Sequence, residues 1–125
     1  IIQEIESKNP SANIVVLGDF NAQVTDAPIR AYLDAGLIDS FAARATKWSP
    51  AIVSHESGRR IDLILLNKNA NEEFVADSPF VFGMPARPEG ADWRTTPPPE
   101  GYASDHYPVV IDLRPAKAAA ANPKK

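Results

Sequence analysis

In "GDFNA", residues 18–22, a carboxylate and a carboxamide, Asp19 and Asn21, stand two positions apart directly after an apolar run. Side chains alternate across an extended chain, so these two point to the same side. Two further polar groups occupy comparable places. Asp62 opens an otherwise apolar alternation in "RRIDLILLN", residues 59–67, and Asp105 with His106 leads into the terminal apolar stretch "YPVVIDL". Carboxylates, an amide and an imidazole form a donor set for a hard divalent cation such as magnesium, and for phosphate chemistry. The chain contains no cysteine, which excludes disulfides and thiolate metal sites and leaves oxygen or imidazole as the only ligands.

The elements that must position these groups follow from periodicity. Ile1, Ile2 and Ile5 recur at helical spacing among polar residues until Asn9-Pro10 breaks the pattern. "NIVVL", residues 13–17, is a short apolar run with β-branched residues, expected to be a strand covered on both faces. In "VTDAPIRAYLDAGLIDS", Thr25 or Asp26 can cap a helix and Pro28 suits its first turn. Ile29, Tyr32 and Leu33 make its apolar face, and Gly36 is placed to end it. A short strand is expected around Trp48. In the strand 59–67, Ile61, Leu63 and Leu65 share one face, and Asp62, Ile64 and Leu66 the other. Residues 67–103 hold six of the twelve prolines and no clear period, and are expected to form a long functional or disordered connection. A terminal strand is expected from Val109 to Leu113, and the Ala- and Lys-rich residues 114–125 read as a disordered tail. Helix, buried strand, helix and further strands together predict an α/β layered fold.

Bulk properties narrow the function. With 125 residues, 44% of them hydrophobic, the chain fits one globular unit. A net charge of −3 is not the signature of a protein that grips phosphate backbones mainly by charge, although local patches can oppose a net charge, so nucleic acid stays open as a substrate. No stretch is long and apolar enough to span a bilayer. The chain opens on Ile1-Ile2 and its one methionine is Met84, from which we expect that sequence precedes Ile1.

The order "GDFNA", "RRIDLILLN", "SDHYPVVIDL" resembles the C-terminal half of the endonuclease/exonuclease/phosphatase superfamily, the DNase I-like metal-dependent phosphoesterases. The resemblance runs from about Ile1 to Leu113. It implies the C-terminal half of a four-layer α/β sandwich, whose missing first half supplies an asparagine and a metal-binding glutamate. It also implies in-line hydrolysis of a phosphoester with Mg2+ or Mn2+. Asp19 resembles the carboxylate that orients or deprotonates the attacking water, and Asn21 the amide that holds a phosphate oxygen or the nucleophile. Asp105 resembles a metal-associated carboxylate. His106 resembles the donor to a non-bridging oxygen, with Asp62 fixing its tautomer. The long loop from Asn67 to Ala103 is the local segment expected to select among DNA, RNA, lipid and small phosphoesters. A segment of this kind is expected to be poorly stable alone and inactive without the remaining ligands.

Plainer readings exist for each part. Gly, Asp and Asn are common turn residues, so GDFN alone fits an Asx-type turn. Asp62 has Arg59 or Arg60 as an alternative partner, and at most one of those adjacent arginines can face a phosphate. His55-Glu56 lacks a second histidine at helical spacing and is expected to be a solvated loop. Ser104 reads as a turn residue, and Arg87, Trp93 and Arg94 as a cleft rim or local packing. Two rival functions remain: a family-like binding module without chemistry, and an unrelated small α/β interaction domain.

Overall fold

The computed structural model describes residues 1–43 and 52–114. In chain order its elements are α1 (Ile2–Lys8), β1 (Val15–Asp19), α2 (Ala27–Asp34), β2 (Ile38–Asp39), β3 (Asp62–Leu66), α3 (Lys68–Glu72), β4 (Phe80–Val81) and β5 (Val109–Val110). The strand expected at Trp48 and the tail beyond Arg114 lie outside the described residues. No described helix is long and apolar enough to cross a membrane.

The alternation in residues 61–66 organises the rest. β3 is the central strand of an antiparallel sheet ordered β1-β3-β2. Leu63 and Leu65 pack with Ala22, Ile29 and Leu37, and Ile2, Phe20 and Leu33 close around them. On the opposite face Ile64 and Leu66 pack with Ala70, Val15, Phe74, Val109 and Ile111. Helices α1 and α2 therefore contribute to one face of the sheet, while α3 and the small β4-β5 sheet contribute to the other, which gives the α/β layering expected. Each of these four buried side chains of β3 contributes about 1.5–3 kcal/mol of transfer free energy.

Local signals at α2 hold closely. Asp26 is the N-cap residue in extended conformation and Pro28 lies in the first turn. Gly36 adopts φ +94°, its amide donates to Leu33 O at 2.9 Å, and the Leu37 amide donates to Tyr32 O at 3.1 Å. These two bonds form a Schellman ending, which needs a residue tolerant of the left-handed region at that point. The Asp26 carboxylate does not cap the helix. It accepts the Gln23 amide at 2.8 Å, tightening the turn that follows the apolar run.

Three expectations need correction. β1 spans Val15–Asp19 and is not covered on both faces: Leu17 is 67% exposed. The second sheet is only two residues deep, so Leu17 overhangs a cavity of about 500 Å³ shared with Ile64, Met84, Pro108 and Val109. The stretch 67–103 is not without structure, because it contains α3 and β4. Both are too short to show a period. The terminal strand is limited to Val109–Val110, after which the chain changes partner: Val75 donates to Asp112 O and Arg114 to Glu73 O, flanking a Phe74–Leu113 bridge.

Asn67, at the end of β3, ties these parts together. Its Oδ1 accepts the amides of Ile14 and Ala70, both at 3.0 Å, and its Nδ2 donates to Ala12 O and to Glu6 Oε1. The residue is buried and satisfied by the segment before β1, by α1 and by the start of α3. Replacing it leaves two amides without an acceptor, so Asn67→Ala is expected to lower stability by about 1–3 kcal/mol for each orphaned group. Urea unfolding of both proteins measures this, and a midpoint unchanged from wild type contradicts it.

Candidate active site

The register of β1 against β3 pairs Asp19 with Asp62 directly across the strands. Cross-strand partners project to the same face, so two carboxylates become neighbours, an arrangement unfavourable for like charges without a compensating group. His106 supplies it. Its Nδ1 lies 3.0 Å from Asp62 Oδ1 and 3.1 Å from Oδ2, and its Nε2 lies 4.0 Å from Asp19 Oδ2. Burial alone pulls the imidazole pKa down, but the Asp62 hydrogen bond and the charges of Asp62, Asp19 and Asp105 outweigh it and raise the value above 6.5.

Asn21 closes the other side. It adopts φ +49°, and its amide donates to Asp19 Oδ1 at 2.8 Å while its Nδ2 donates to Asp19 Oδ2 at 3.0 Å. GDFN is thus an Asx-type turn and a site element at once. The turn is what aims the carboxylate. Asp62 is held from behind by Ser54, a fully buried residue whose Oγ donates to Asp62 Oδ2 at 2.8 Å and accepts the amides of Ile61 and Asp62 at 3.1 and 3.0 Å. One hydroxyl has one donor and two acceptor positions, and all three are used.

Asp19, Asn21, Asp62 and His106 therefore meet at one end of the sheet. Asp105 belongs to a second group, with His55 and the same imidazole. Its carboxylate is 55% exposed and sits 3.4 Å from His55 Nε2, with the His55 ring edge-to-face against His106 at 4.6 Å between centroids. Ligand atoms of Asp19, Asp62 and His106 fall within 4.8 Å of one another, as do those of His55, Asp105 and His106. The two groups share His106.

His55-Glu56 is not the solvated loop expected. The His55↔His106 bridge, Glu56 N–H to Asp105 O at 2.8 Å and Tyr107 N–H to Ser54 O at 2.8 Å lay the segment alongside residues 105–107. The Glu56 carboxylate accepts the Arg87 amide, the Arg87 guanidinium and the Tyr102 hydroxyl. Burial pushes its pKa up, yet these hydrogen bonds and the Arg87 charge prevail and hold it below the usual value. Arg87 also stacks on Tyr102 and donates to Thr96 O, so the long loop is anchored here. Sequence reasoning misread His55 and Glu56 because their partners lie far along the chain, and missed Ser54 because nothing in a Ser-rich stretch marks which hydroxyl turns back onto Asp62 eight residues later. The one local trace is a cluster of polar side chains, Ser54 to Ser57, immediately before a strand.

Other candidates resolve simply. Arg60 is buried, forms a two-point ion pair with Asp39 at 2.9 and 2.7 Å, and serves the fold. Arg59 donates to Ser57 Oγ. Neither arginine is the partner of Asp62. Ser104 accepts the His106 amide at 3.0 Å, the turn role expected of it. Trp93 is exposed under the Arg94 guanidinium and lines a second cavity with His55, Arg87 and Tyr102.

The model of the Endonuclease/Exonuclease/phosphatase family matches residues 2–106, a span that contains every one of the candidate residues. No curated protein and no solved structure gives a significant match. The chain belongs to the endonuclease/exonuclease/phosphatase family, a family of phosphoester hydrolases.

The raised His106 value has a defined sign. Stability contributed by protonated His106 is complete below its ordinary 6.5 and fades as pH rises through the higher native value. A proton NMR titration is expected to place the wild-type midpoint above 6.5 and the Asp62→Asn midpoint below that of wild type. Identical midpoints contradict the assignment of Asp62 as the partner.

Proposed function

We propose that this chain is part of a phosphoester hydrolase, a nuclease or phosphodiesterase/phosphatase, that works by in-line attack of water with the aid of Mg2+ or Mn2+, and that the segment by itself is inactive. The observation that carries this reading is the orientation of His106, with Nδ1 on Asp62 at 3.0 Å and Nε2 toward Asp19. Asp62 fixes the Nδ1–H end and leaves Nε2 facing the cavity lined by Asp19, Gly18 and Tyr107. The raised pKa favours the imidazolium, in which Nε2 also carries a proton and can donate to a non-bridging phosphate oxygen as charge builds there.

Asp19 takes a proton from water as the water oxygen bonds to phosphorus, and the bond to the leaving oxygen breaks on the opposite side. Asn21 keeps the Asp19 carboxylate aimed and, through its remaining amide atoms, holds a phosphate oxygen or the nucleophile. No covalent enzyme intermediate forms. The donor chemistry fits a hard cation: Asp105 presents an exposed carboxylate with room for the waters magnesium retains, in a chain without thiols. A bound cation neutralises charge on the phosphoryl group. In this reading Asp105 associates with the metal, and Asp19, Asn21, Asp62 and His106 carry the catalysis.

The same reading takes residues 1–113 as the C-terminal half of a four-layer α/β sandwich. Exposed Leu17 and the position of β1 at the sheet edge support further covering elements. Family membership leaves an unrelated interaction domain without support. A module without chemistry gives no reason for two carboxylates to be held opposite each other around an imidazole.

Hydrolysis of bis(p-nitrophenyl) phosphate by the full-length protein with Mg2+ tests the reading. His106→Ala is expected to lower the rate by about 10²–10⁴-fold, the range for loss of a positioned proton donor or acceptor. EDTA is expected to abolish it. Equal rates for wild type and His106→Ala remove the imidazole from the mechanism, and activity undiminished in EDTA removes the metal.

A further inference from the structure

The His55–Asp105–His106 group brings together two imidazoles and a carboxylate, and its simplest interpretation would make His55 a metal ligand. The hydrogen bonds around His55 argue for a different role. The Ser57 backbone N–H donates to His55 Nδ1 at 3.0 Å. A backbone amide can only donate, so Nδ1 carries a lone pair. The Ser57 hydroxyl lies 2.8 Å from the same nitrogen and accepts from Arg59 Nε at 3.3 Å, which leaves its own proton free for Nδ1. In the neutral ring the proton is therefore on Nε2, the nitrogen 3.4 Å from Asp105 Oδ2.

We propose that His55 is a positioning residue, whose Nε2–H aims the Asp105 carboxylate toward the cation site and which takes no place in the metal shell itself. The inference rests on the reading that Asp105 associates with the metal. Its physical content is that an exposed carboxylate on a turn gains one fixed orientation. Asp105 is more than half exposed, whereas the His55 ring is largely buried, clamped by Ser57 on one nitrogen and by the edge-to-face contact with His106. The donor is thus the rigid partner and the carboxylate the one that is steered. Partners that orient metal-ligating carboxylates affect affinity by about 10–100-fold when removed. Ser54 acts on Asp62 from the same short segment, so residues 54–57 steer both acids that flank His106.

The test is Mn2+ binding by the full-length protein followed by electron paramagnetic resonance, using wild type, His55→Phe, His55→Gln and Asp105→Asn. Phe keeps a ring against His106 and removes the donor. Gln replaces the ring by an amide N–H at a similar reach. We expect His55→Phe to weaken Mn2+ binding by about tenfold or more, His55→Gln to recover most of it, and Asp105→Asn to lose it. Long-range proton–nitrogen correlation of wild type is expected to find the proton on His55 Nε2, and this readout stands even where the Phe variant fails to fold. A proton on Nδ1, or His55→Phe binding as tightly as wild type while Asp105→Asn does not bind, overturns the role of His55 alone. Undiminished binding by Asp105→Asn overturns the metal role of Asp105 and this inference with it.

Discussion

One register holds the site together. Pairing β1 with β3 so that Asp19 faces Asp62 fixes where both carboxylates sit, and the same pairing sends Leu63 and Leu65 to one core and Ile64 and Leu66 to the other. A slip of one residue would send every side chain of a strand to the opposite face, exchanging Leu63 and Leu65 with Ile64 and Leu66 between two differently shaped cores and turning Asp62 toward the apolar packing of the first. The burial of β3 therefore guarantees the geometry of the acids at its end. The local rule against facing like charges is broken here, and the hydrophobic cost of any other register keeps it broken. Sites where local preference and global fold disagree are where chemistry is to be sought.

The acids are then steered by a segment that belongs to neither strand. Ser54 saturates its hydroxyl on Asp62 and two amides, His55 and Glu56 face residues 87, 102 and 105, and Ser57 holds the His55 ring. Rigid strands set the positions, and this turn sets the orientations. Such a division suits the proposed reaction, in which a water, a phosphate and a cation must be held in one fixed geometry.

Much of this was legible in the sequence. The alternation of residues 61–66 gave both faces of β3, and Gly36 gave the end of α2, because each rests on a local rule that operates within a few residues. The meeting of Asp19, Asn21, Asp62 and His106 was legible from motif order. Leu17 was misjudged because an unbroken apolar run does not say how far the covering layer extends. α3 and β4 went unseen because five and two residues are too few for periodicity to register. His55 and Glu56 were misjudged because their partners lie 50 and 31 positions away, and distance in sequence hides such contacts until the chain is folded.

The Glu56 carboxylate binds Arg87 and Tyr102 together, so it closes off the second part of the long loop. Residues 88–101 become an excursion closed at its base by Glu56 and tied within, by Arg87 to Thr96 O. Lengthening a closed excursion costs little, since closure entropy grows only with the logarithm of length. Descendants of this chain are therefore free to rewrite that arc, in size and in composition, while the turn that orients the acids stays as it is.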